Sequence, residues 1–399
     1  MRLRHPDGTV VHLSYCTNVH AAEDLDGVVA QLGRCAEPVR RRLGSDRLGV
    51  GLWLAAPVAH LLATDPALLG RLRGELAHRG LEVVTLNAFP YAGFHAPRVK
   101  HAVYRPDWTE EARLAYTLDC ARVLAALLPE DAARGSVSTL PLAWRTPWST
   151  GRHALASRHL DQLARDLEAL RDRTGRTIRV ALEPEPGCVI EDTRQARRWL
   201  ARVDSRWLGI CLDTCHLAVA FEDPDAACAR LADAALPIVK AQASCALHAG
   251  LPADPATRAA LRDFAEPRFL HQTRTPPARG GVRGVDDLTE ALDGALPGTA
   301  PWRVHFHVPL HADVPPPLRT TRPELLRALA ALLGGPTALT DHVEVETYTW
   351  PVLPGAPSPG GQSLIDGIAA ELAWAKDALV ALGLGEVRGT DHTLGKGTS

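Results

Sequence analysis

Short apolar runs alternate with longer segments of helical pattern along nearly the whole chain of 399 residues. This alternation is typical of βα units, in which parallel strands form one sheet and the intervening helices cover it. Seven runs lie at residues 9–16, 48–54, 81–87, 135–142, 236–244, 302–308 and 342–348, and two more end at Glu183 and Asp213. The pattern predicts an α/β fold of the TIM (β/α)8 barrel type, with an extra strand or loop insertion late in the chain. Which of these nine runs lies outside the barrel is left open.

The helical segments carry their own boundary signals. Asp65 can cap a helix that has Pro66 in its first position, and residues 160, 163, 167 and 170 form an apolar stripe suited to lie on a sheet. No sharp linker separates the segments, so residues 1–383 are predicted to form a single TIM-barrel domain that closes with a helix. Residues 384–399, rich in Gly and Thr, are expected to be a disordered tail.

The charge balance argues against a nucleic-acid partner. Lys and Arg together number 44 against 46 for Asp and Glu, so the net charge of -2 gives no general attraction to phosphate backbones or anionic membranes. No export signal is visible and no window reaches the roughly 18 apolar residues of a membrane span, so we expect a cytoplasmic protein without membrane insertion. The 8 cysteines share no spacing and are expected to be reduced thiols. Whether copies of the chain form a homo-oligomer is left open.

Side-chain oxygen ligands stand at the ends of the later apolar runs: Glu183, Asp213, Gln242 and Glu346. Because a barrel gathers the carboxyl ends of its strands at one face, we expect these groups to converge on a divalent metal ion. Carboxylate and amide oxygens favour Mg²⁺ or Mn²⁺, with Zn²⁺ or Co²⁺ as alternatives. The competing interpretation is that these acids are unrelated and pair with Arg or cap helices. Glu185 and Glu344, on the same strands, are expected to support the ligands or to lie on the surface.

Histidines accompany the acids. His216 follows Asp213 by three residues, and it either hydrogen-bonds a substrate oxygen, binds a second metal or packs structurally. His305 and His307 point to one face of their strand, so one of them could replace or supplement Gln242 as the third ligand. Buried, hydrogen-bonded histidines are the alternative.

Further polar residues are candidates for substrate contact. Lys240, on the same strand face as Gln242, either steadies a substrate oxyanion or forms a salt bridge with a neighbouring carboxylate. The remaining candidates come from strand ends and from the loop after the third strand: His95, Lys100, Tyr104, Asn87, Trp350, Tyr15 and Asn18. The sequence contains no Gly-rich phosphate loop, Gly-x-Ser-x-Gly elbow, His-Glu-x-x-His or paired Cys-x-x-Cys motif, which argues against the corresponding enzyme classes.

Three short motifs resemble the xylose isomerase-like superfamily of TIM barrels: Leu182-Glu183-Pro184, Leu212-Asp213-Thr214-Cys215-His216 and Val345-Glu346-Thr347. The resemblance implies that a Glu, an Asp, a His or Gln, and a Glu from the last four barrel strands hold a metal. Gln242 then resembles the Gln variant found in hydroxypyruvate isomerase.

Longer runs resemble the EboE-type proteins of bacterial ebo gene clusters, which are described as metabolite-traffic proteins. These runs lie at residues 13–20, 86–91, 138–142, 305–309 and 343–350 and extend from end to end of the chain. This second resemblance implies a role in a metabolite biosynthesis or traffic pathway, but it names no reaction.

The leading hypothesis is a metal-dependent isomerase or epimerase that acts on a small polyhydroxylated metabolite, such as a sugar, a sugar phosphate or a cyclitol. Glu183 and Glu346 would move the proton, while His216 and Lys240 would steady substrate oxygens. Two alternatives remain open at this point. One is a non-catalytic barrel that binds or carries a metabolite, and the other is a metal-dependent phosphodiesterase similar to endonuclease IV.

Overall fold

The structure is a computed structural model that describes residues 1–276, 281–355 and 361–387. Within these residues the strands are β1 (Arg2–Arg4), β2 (Val10–Cys16), β3 (Leu48–Trp53), β4 (Leu81–Asn87), β5 (Gly135–Thr139), β6 (Ile178–Leu182), β7 (Leu208–Asp213), β8 (Ile238–Ala243), β9 (Cys245–Ala249), β10 (Thr273–Thr275), β11 (Arg283–Val285), β12 (Trp302–Val308), β13 (Arg319–Thr320), β14 (His342–Val345) and β15 (Gly385–Glu386). The α-helices are α1 (Leu25–Gln31), α2 (Glu37–Arg42), α3 (Ala56–Thr64), α4 (Pro66–His78), α5 (Glu111–Leu127), α6 (Thr150–Thr174), α7 (Thr193–Trp199), α8 (Thr214–Val219), α9 (Pro224–Asp233), α10 (Pro255–Arg262), α11 (Leu288–Glu290), α12 (Arg322–Leu333) and α13 (Gln362–Ala381). Short helical turns of 3-10 or π type occupy Thr17–Val19, Leu32–Ala36, Lys100–Tyr104, Ala291–Ala295 and Trp350–Val352.

Eight of these strands close into a parallel ring, in the order β2, β3, β4, β5, β6, β7, β8 and β14. The ring closes where β14 pairs with β2 on one side and with β8 on the other, and both pairings are parallel. The helices that alternate with these strands pack around the ring. This arrangement confirms the predicted TIM barrel.

The ring strands are apolar because both of their faces are covered. β3, β4, β5, β7 and β8 are buried at every position, as parallel strands under helices must be. The helices follow the signals in the sequence: Asp65 caps α4 through its side chain, and the predicted leucine stripe of α6 is buried. Polar side chains that take part in chemistry are therefore concentrated where the strands end.

A second, antiparallel sheet lies between the last two ring strands in sequence. Its order is β11, β10, β12, β9 and β13, and it follows β8 directly. The run at residues 302–308 is therefore the one outside the barrel. The sequence alone leaves this open because a buried apolar run looks the same in either sheet. Val308 at the end of β12 pairs with Cys245, two residues beyond β8, which brings the end of β12 to the carboxyl end of the ring.

The interior of the ring contains a fully buried ion pair. Lys240 Nζ lies 2.6 Å from Glu344 Oε2, and neither side chain is exposed to solvent. The Glu344 carboxylate occupies the space beside Gly51, where an added Cβ would lie 1.2 Å from Glu344 Oε1. A glycine is therefore required at this position of β3, because any side chain would displace the carboxylate. Glu344 is an interior residue and does not lie on the surface.

The chain continues in order slightly beyond the expected start of the tail. β15 pairs antiparallel with β1, and Leu384 is buried, so residues 384–387 differ from the disorder expected for them. The rest of that expectation, residues 388–399, falls outside the described residues. None of the helices in the described ranges combines the length and the apolar character that a membrane crossing requires. The single-domain assignment stays a prediction.

Candidate metal centre

Three buried carboxylates meet at the carboxyl ends of the ring strands. Glu183 follows β6, Asp213 ends β7 and Glu346 follows β14. Each offers an oxygen atom, and these atoms all lie within 4.8 Å of one another. The structure thus brings together three of the four oxygen ligands that the sequence predicts.

The spacing of Asp213 and His216 has a local structural reason. Asp213 is the N-cap residue of α8, and its Oδ1 accepts a hydrogen bond from His216 N at 2.9 Å, the usual contact between an N-cap and the third residue of a helix. The same oxygen accepts a second hydrogen bond from Ser244 Oγ at 2.8 Å. Oδ1 is therefore fixed, while Oδ2 is buried without a protein partner.

The other two carboxylates are held less completely. Glu346 Oε1 accepts hydrogen bonds from Asn18 Nδ2 at 2.7 Å and from Asn87 Nδ2 at 3.0 Å. Glu183 Oε2 is buried without a partner. Burial, together with the charges of its two neighbours, raises the pKa of Glu183 well above its usual value, and burial and Asp213 do the same to the pKa of Glu346. A bound cation would remove this electrostatic cost.

Hydrogen bonds fix the tautomers of three histidines at this site. His216 Nδ1 lies 2.9 Å from Pro184 O, and His307 Nδ1 lies 2.8 Å from Glu346 O. Because a carbonyl oxygen only accepts, both Nδ1 atoms must carry the hydrogen. His305 Nδ1 lies 2.7 Å from Gln272 Oε1 and must donate as well, since the amide nitrogen of Gln272 already donates to Pro186 O. In the neutral rings, all three Nε2 atoms therefore carry lone pairs.

The Nε2 atoms of His216 and His307 lie beside Asp213, and that of His305 lies against His216. His305 Nε2 lies only 3.0 Å from His216 Nε2, although neither neutral ring can donate to the other. His307 Nε2 is buried without a partner and lies 4.0 Å from Asp213 Oδ2. Burial lowers the pKa of His305 well below its usual value and that of His307 to about 4, so protonation is a poor way to relieve the contact. A metal ion is the usual partner of such converging imidazole nitrogens.

The residues present therefore fit a divalent cation. Glu183, Asp213 and Glu346 would hold it through oxygens, two of which are now buried without a partner. Gln242 is fully buried next to Asp213 in the ring, and neither its Oε1 nor its Nε2 has a protein partner. Both Gln242 and His307 thus have a free atom with which to bind the cation as a further protein ligand. The oxygen set suits Mg²⁺ or Mn²⁺, while participation of histidine nitrogens favours Zn²⁺.

A cavity of about 60 Å³ lies next to these acids. Its polar side includes Glu183, Glu346 and the three histidines. The remaining lining residues are mostly apolar or aromatic: Phe89, Pro90, Phe94, Val99, Val103, Tyr104, Phe269, Leu270 and Tyr348.

Some residues expected to contact substrate have other partners. Lys240 forms the interior ion pair with Glu344 and does not line the cavity, which is the salt-bridge alternative left open above. Trp350 Nε1 donates to Glu371 Oε2 at 2.8 Å, and Trp350 also lies outside the lining. His95 Nε2 donates to Asn18 O at 2.8 Å, so His95 supports a lining residue from behind.

Other candidates do reach the cavity. Asn87, His307, Tyr104 and Asn18 line it, and so does Lys100, whose ammonium group is paired with Asp287. Tyr15 does not line this cavity; its hydroxyl lies 3.1 Å from His20 Nε2.

One lining residue was expected only as a support of the ligands or on the surface, and others are not among the sequence candidates. Glu185 is buried in the cavity wall, where Tyr104 OH donates to its Oε1 at 2.6 Å. Glu185 therefore does not lie on the surface. Tyr348 could have been found, since it stands two residues after Glu346 in an extended segment. Phe269 and Leu270 carry no such signal because they lie in an irregular segment that precedes β10.

The fold and this site define a parallel (β/α)8 barrel with a cluster of carboxylates and histidines at the carboxyl ends of its strands. A family model described as "Xylose isomerase-like TIM barrel" matches residues 43–262, more than half of the chain, and the chain belongs to this family. A comparison with curated protein sequences gives no match.

Two similar solved structures cover almost the whole chain. A xylose isomerase-like TIM barrel protein from Mycobacterium smegmatis in complex with magnesium has a TM-score of 0.51 and 14% identity, over 93% of this chain and 97% of that one. A structure of L-ribulose 3-epimerase has a TM-score of 0.50 and 12% identity, over 94% of this chain and 96% of that one. At these identities the similarity shows the fold alone.

Proposed function

We propose that this protein is a divalent-metal-dependent isomerase or epimerase that acts on a small sugar, sugar phosphate or cyclitol. The observation that carries the proposal is the convergence of Glu183, Asp213 and Glu346 within 4.8 Å beside a cavity. Support also comes from the similar solved structures, of which one is an L-ribulose 3-epimerase and another contains magnesium.

The chain's own residues can divide the chemistry between them. A divalent cation at this site would polarise a substrate carbonyl and the adjacent hydroxyl. Glu183 and Glu346 line the cavity from different strands, so one can remove a proton from the substrate carbon and the other can return it. Asn18 and Asn87 hold one oxygen of Glu346 and leave the other available. His216 Nε2 can accept a hydrogen bond from a substrate hydroxyl, since its Nδ1 donates to Pro184 O.

Exchange of substrate hydrogen with solvent tests these roles. The protein is loaded with Mn²⁺ and incubated in D₂O with L-ribulose and other free ketoses, and incorporation is followed by NMR. Glu346→Gln is expected to abolish incorporation while metal stays bound, because the amide keeps an oxygen ligand but is not a base. Glu168→Gln, an exposed change outside the site, is the control. Unchanged exchange in Glu346→Gln would remove Glu346 from the mechanism, and no exchange of any ketose by the wild type would contradict an isomerase.

Metal content provides a test that does not depend on the substrate. Elemental analysis of the wild type is expected to find a bound divalent metal, and Asp213→Ala should lose most of it. Asp204→Ala, which removes a surface carboxylate paired with Arg206, should keep it. Equal metal content in wild type and Asp213→Ala would contradict the proposed centre.

One observation favours a second candidate function. Asp213, His216 and His307 offer ligand atoms within 4.8 Å of one another that could hold a further cation, an arrangement that suits a phosphodiesterase similar to endonuclease IV. Against it stands the net charge of -2, which gives no general attraction to DNA. More than one zinc per chain, together with cleavage of DNA that contains abasic sites, would favour this candidate over the isomerase.

The resemblance to EboE-type proteins extends the proposal to a role in a metabolite biosynthesis or traffic pathway, with the protein in the cytoplasm. In its support, the runs at residues 86–91, 305–309 and 343–350 all contribute residues to the cavity: Asn87, Phe89, His305, His307, Glu346 and Tyr348.

A barrel that binds a metabolite without turnover would keep this cavity. Such a protein would show ligand binding in calorimetry but no deuterium exchange.

A further inference from the structure

We propose that the site takes an unphosphorylated ligand, and that Asp287 determines this specificity by holding the ammonium group of Lys100. The inference rests on the proposed function, which leaves a sugar and a sugar phosphate equally open. It depends on the cations, the hydrogen-bond donors and the wall residues that a phosphate group in the cavity would contact.

Within residues 1–276, 281–355 and 361–387, Lys100 is the one Lys or Arg that lines the cavity. Its ammonium forms an ion pair with Asp287, and the two side chains are only 16% and 11% exposed. The Asp287 carboxylate cancels the charge of the Lys100 ammonium, so the pair offers a phosphate dianion little net attraction. Among the residues that the structure describes, the cavity lining therefore offers no cation without a carboxylate partner.

The backbone fixes Lys100 in this position. Lys100 has a φ of 41°, in the left-handed region that non-glycine residues rarely adopt, so its conformation must be imposed by its surroundings. Lys100 N and Val99 N both donate to Arg268 O, at 2.9 and 2.8 Å, which attaches this loop to the segment before β10. Asp287 lies immediately before α11, further along the same inserted segment. The ion pair thus links two segments that these backbone hydrogen bonds already hold together.

Three neutral donors of the cavity already have acceptors. Asn18 and Asn87 direct their amide nitrogens at Glu346, and Tyr104 OH donates to Glu185. The lining histidines present lone pairs at Nε2 because their Nδ1 hydrogens are used elsewhere. A phosphate oxygen needs donors or cations, and these groups offer acceptors.

The remaining wall is aromatic or aliphatic apart from the tyrosine hydroxyls. Phe94, Phe269 and Tyr348 pack against one another with ring centroids 4.9 to 5.5 Å apart, and they face the cavity. A doubly charged phosphate placed there would lose its hydration without compensation. On the other side it would meet the buried acids. The hydroxyl-bearing carbons of a neutral sugar are compatible with both surfaces.

Three arginines of the described segments are also paired or lie outside the lining. Arg145 is paired with Asp286 and Arg274 with Glu191. The guanidinium of Arg268 lies 6.0 Å from the centroid of the Phe269 ring, and Arg268 is not among the lining residues.

Calorimetry with a matched pair of probes tests the inference on protein loaded with Mg²⁺. L-ribulose is compared with L-ribulose 5-phosphate, and inorganic phosphate is titrated separately. The wild type is expected to bind the phosphate ester at least about tenfold more weakly than the free sugar, as like charges in a buried site require. Asp287→Asn releases Lys100 and should strengthen binding of the ester and of inorganic phosphate at least about tenfold, while L-ribulose changes little.

Two further variants show whether the gain arises inside the cavity. Asp286→Asn releases Arg145, a cation that does not line the cavity, and should behave as the wild type does. Adding Lys100→Met to Asp287→Asn should abolish the gain. Wild-type protein that binds the ester as tightly as the sugar would overturn the inference, and so would an Asp287→Asn variant with unchanged phosphate binding.

The outcomes separate this inference from the proposed function. Failure of the wild type to bind metal, or of L-ribulose and other free ketoses to exchange deuterium, would contradict the isomerase. The effect of Asp287→Asn on inorganic phosphate would still decide the role of Asp287, because that titration needs no sugar.

Discussion

Replacing Glu371 with Gln isolates the contribution of one buried carboxyl group to the pH dependence of stability. Glu371 lies on α13 with 1% of its surface exposed. It accepts hydrogen bonds from Thr347 Oγ1 at 2.6 Å, Trp350 Nε1 at 2.8 Å and Leu310 N at 3.1 Å. It therefore joins the segment after Glu346 to the segment after β12. Burial outweighs these donors and raises the pKa of Glu371 from 4.5 to about 7.

The raised pKa fixes the sign and the size of the effect. Between pH 4.5 and 7 the folded protein keeps this proton while the unfolded chain has released it, so a rise in pH favours unfolding. Each pH unit lowers the free energy of unfolding by about 1.4 kcal/mol, and the shift of about 2.5 units, from 4.5 to 7, corresponds to about 3 kcal/mol. This stability is present at pH 4.5 and is lost as the pH approaches 7.

Urea unfolding measured at intervals between about pH 5 and pH 7 can detect this. The free energy of unfolding of the wild type should fall relative to that of Glu371→Gln across the interval, because Gln does not titrate. Asp377→Asn, an exposed change on the same helix, should run parallel to the wild type. If wild type and Glu371→Gln also run parallel, the carboxyl group is ionised throughout and the reasoning from burial is refuted.

Two further substitutions test packing and ligand support. Gly51→Ala should destabilise the protein by roughly 3 kcal/mol or more in urea unfolding, because the new Cβ displaces the buried Glu344 carboxylate from its ion pair. Gly70→Ala, in α4, adds a Cβ with nothing within 4 Å and should stabilise the protein by up to about 1 kcal/mol. Equal effects of the two substitutions would contradict the crowding at Gly51. Ser244→Ala removes a hydrogen bond to Asp213 Oδ1 and should weaken Mn²⁺ binding about 10- to 100-fold in calorimetry, and unchanged affinity would show that Ser244 does not support the ligand.

The barrel could be predicted from the sequence because the same requirement for an apolar strand recurs along the chain. Each ring strand must be apolar on both faces, and each must end where polar groups are tolerated. For the same reason Glu183, Asp213 and Glu346 could be assigned to one place from their positions at strand ends. The predicted run at residues 302–308 has the bounds of β12, yet its membership in a second sheet could not be predicted, since pairing partners leave no mark on a buried run.

The roles of individual side chains were harder to predict because they depend on depth and on partners distant in sequence. Lys240 and Gln242 share a strand face, but the pairing of β8 with β14 places Lys240 within reach of Glu344. Lys100 meets Asp287, 187 residues away, only because the inserted segment folds back over the loop after β4. No local pattern of residue types encodes either contact.

Because a second sheet is inserted between β8 and β14, two separate parts of the chain contribute to the site. The ring supplies the three acids, whereas the insertion supplies His305, His307 and the aromatic residue Phe269. Exchanging that segment for another could therefore redirect the barrel to a new substrate without rebuilding its strands. Related barrels that share the acids but differ between these two strands would then be expected to differ in what they bind.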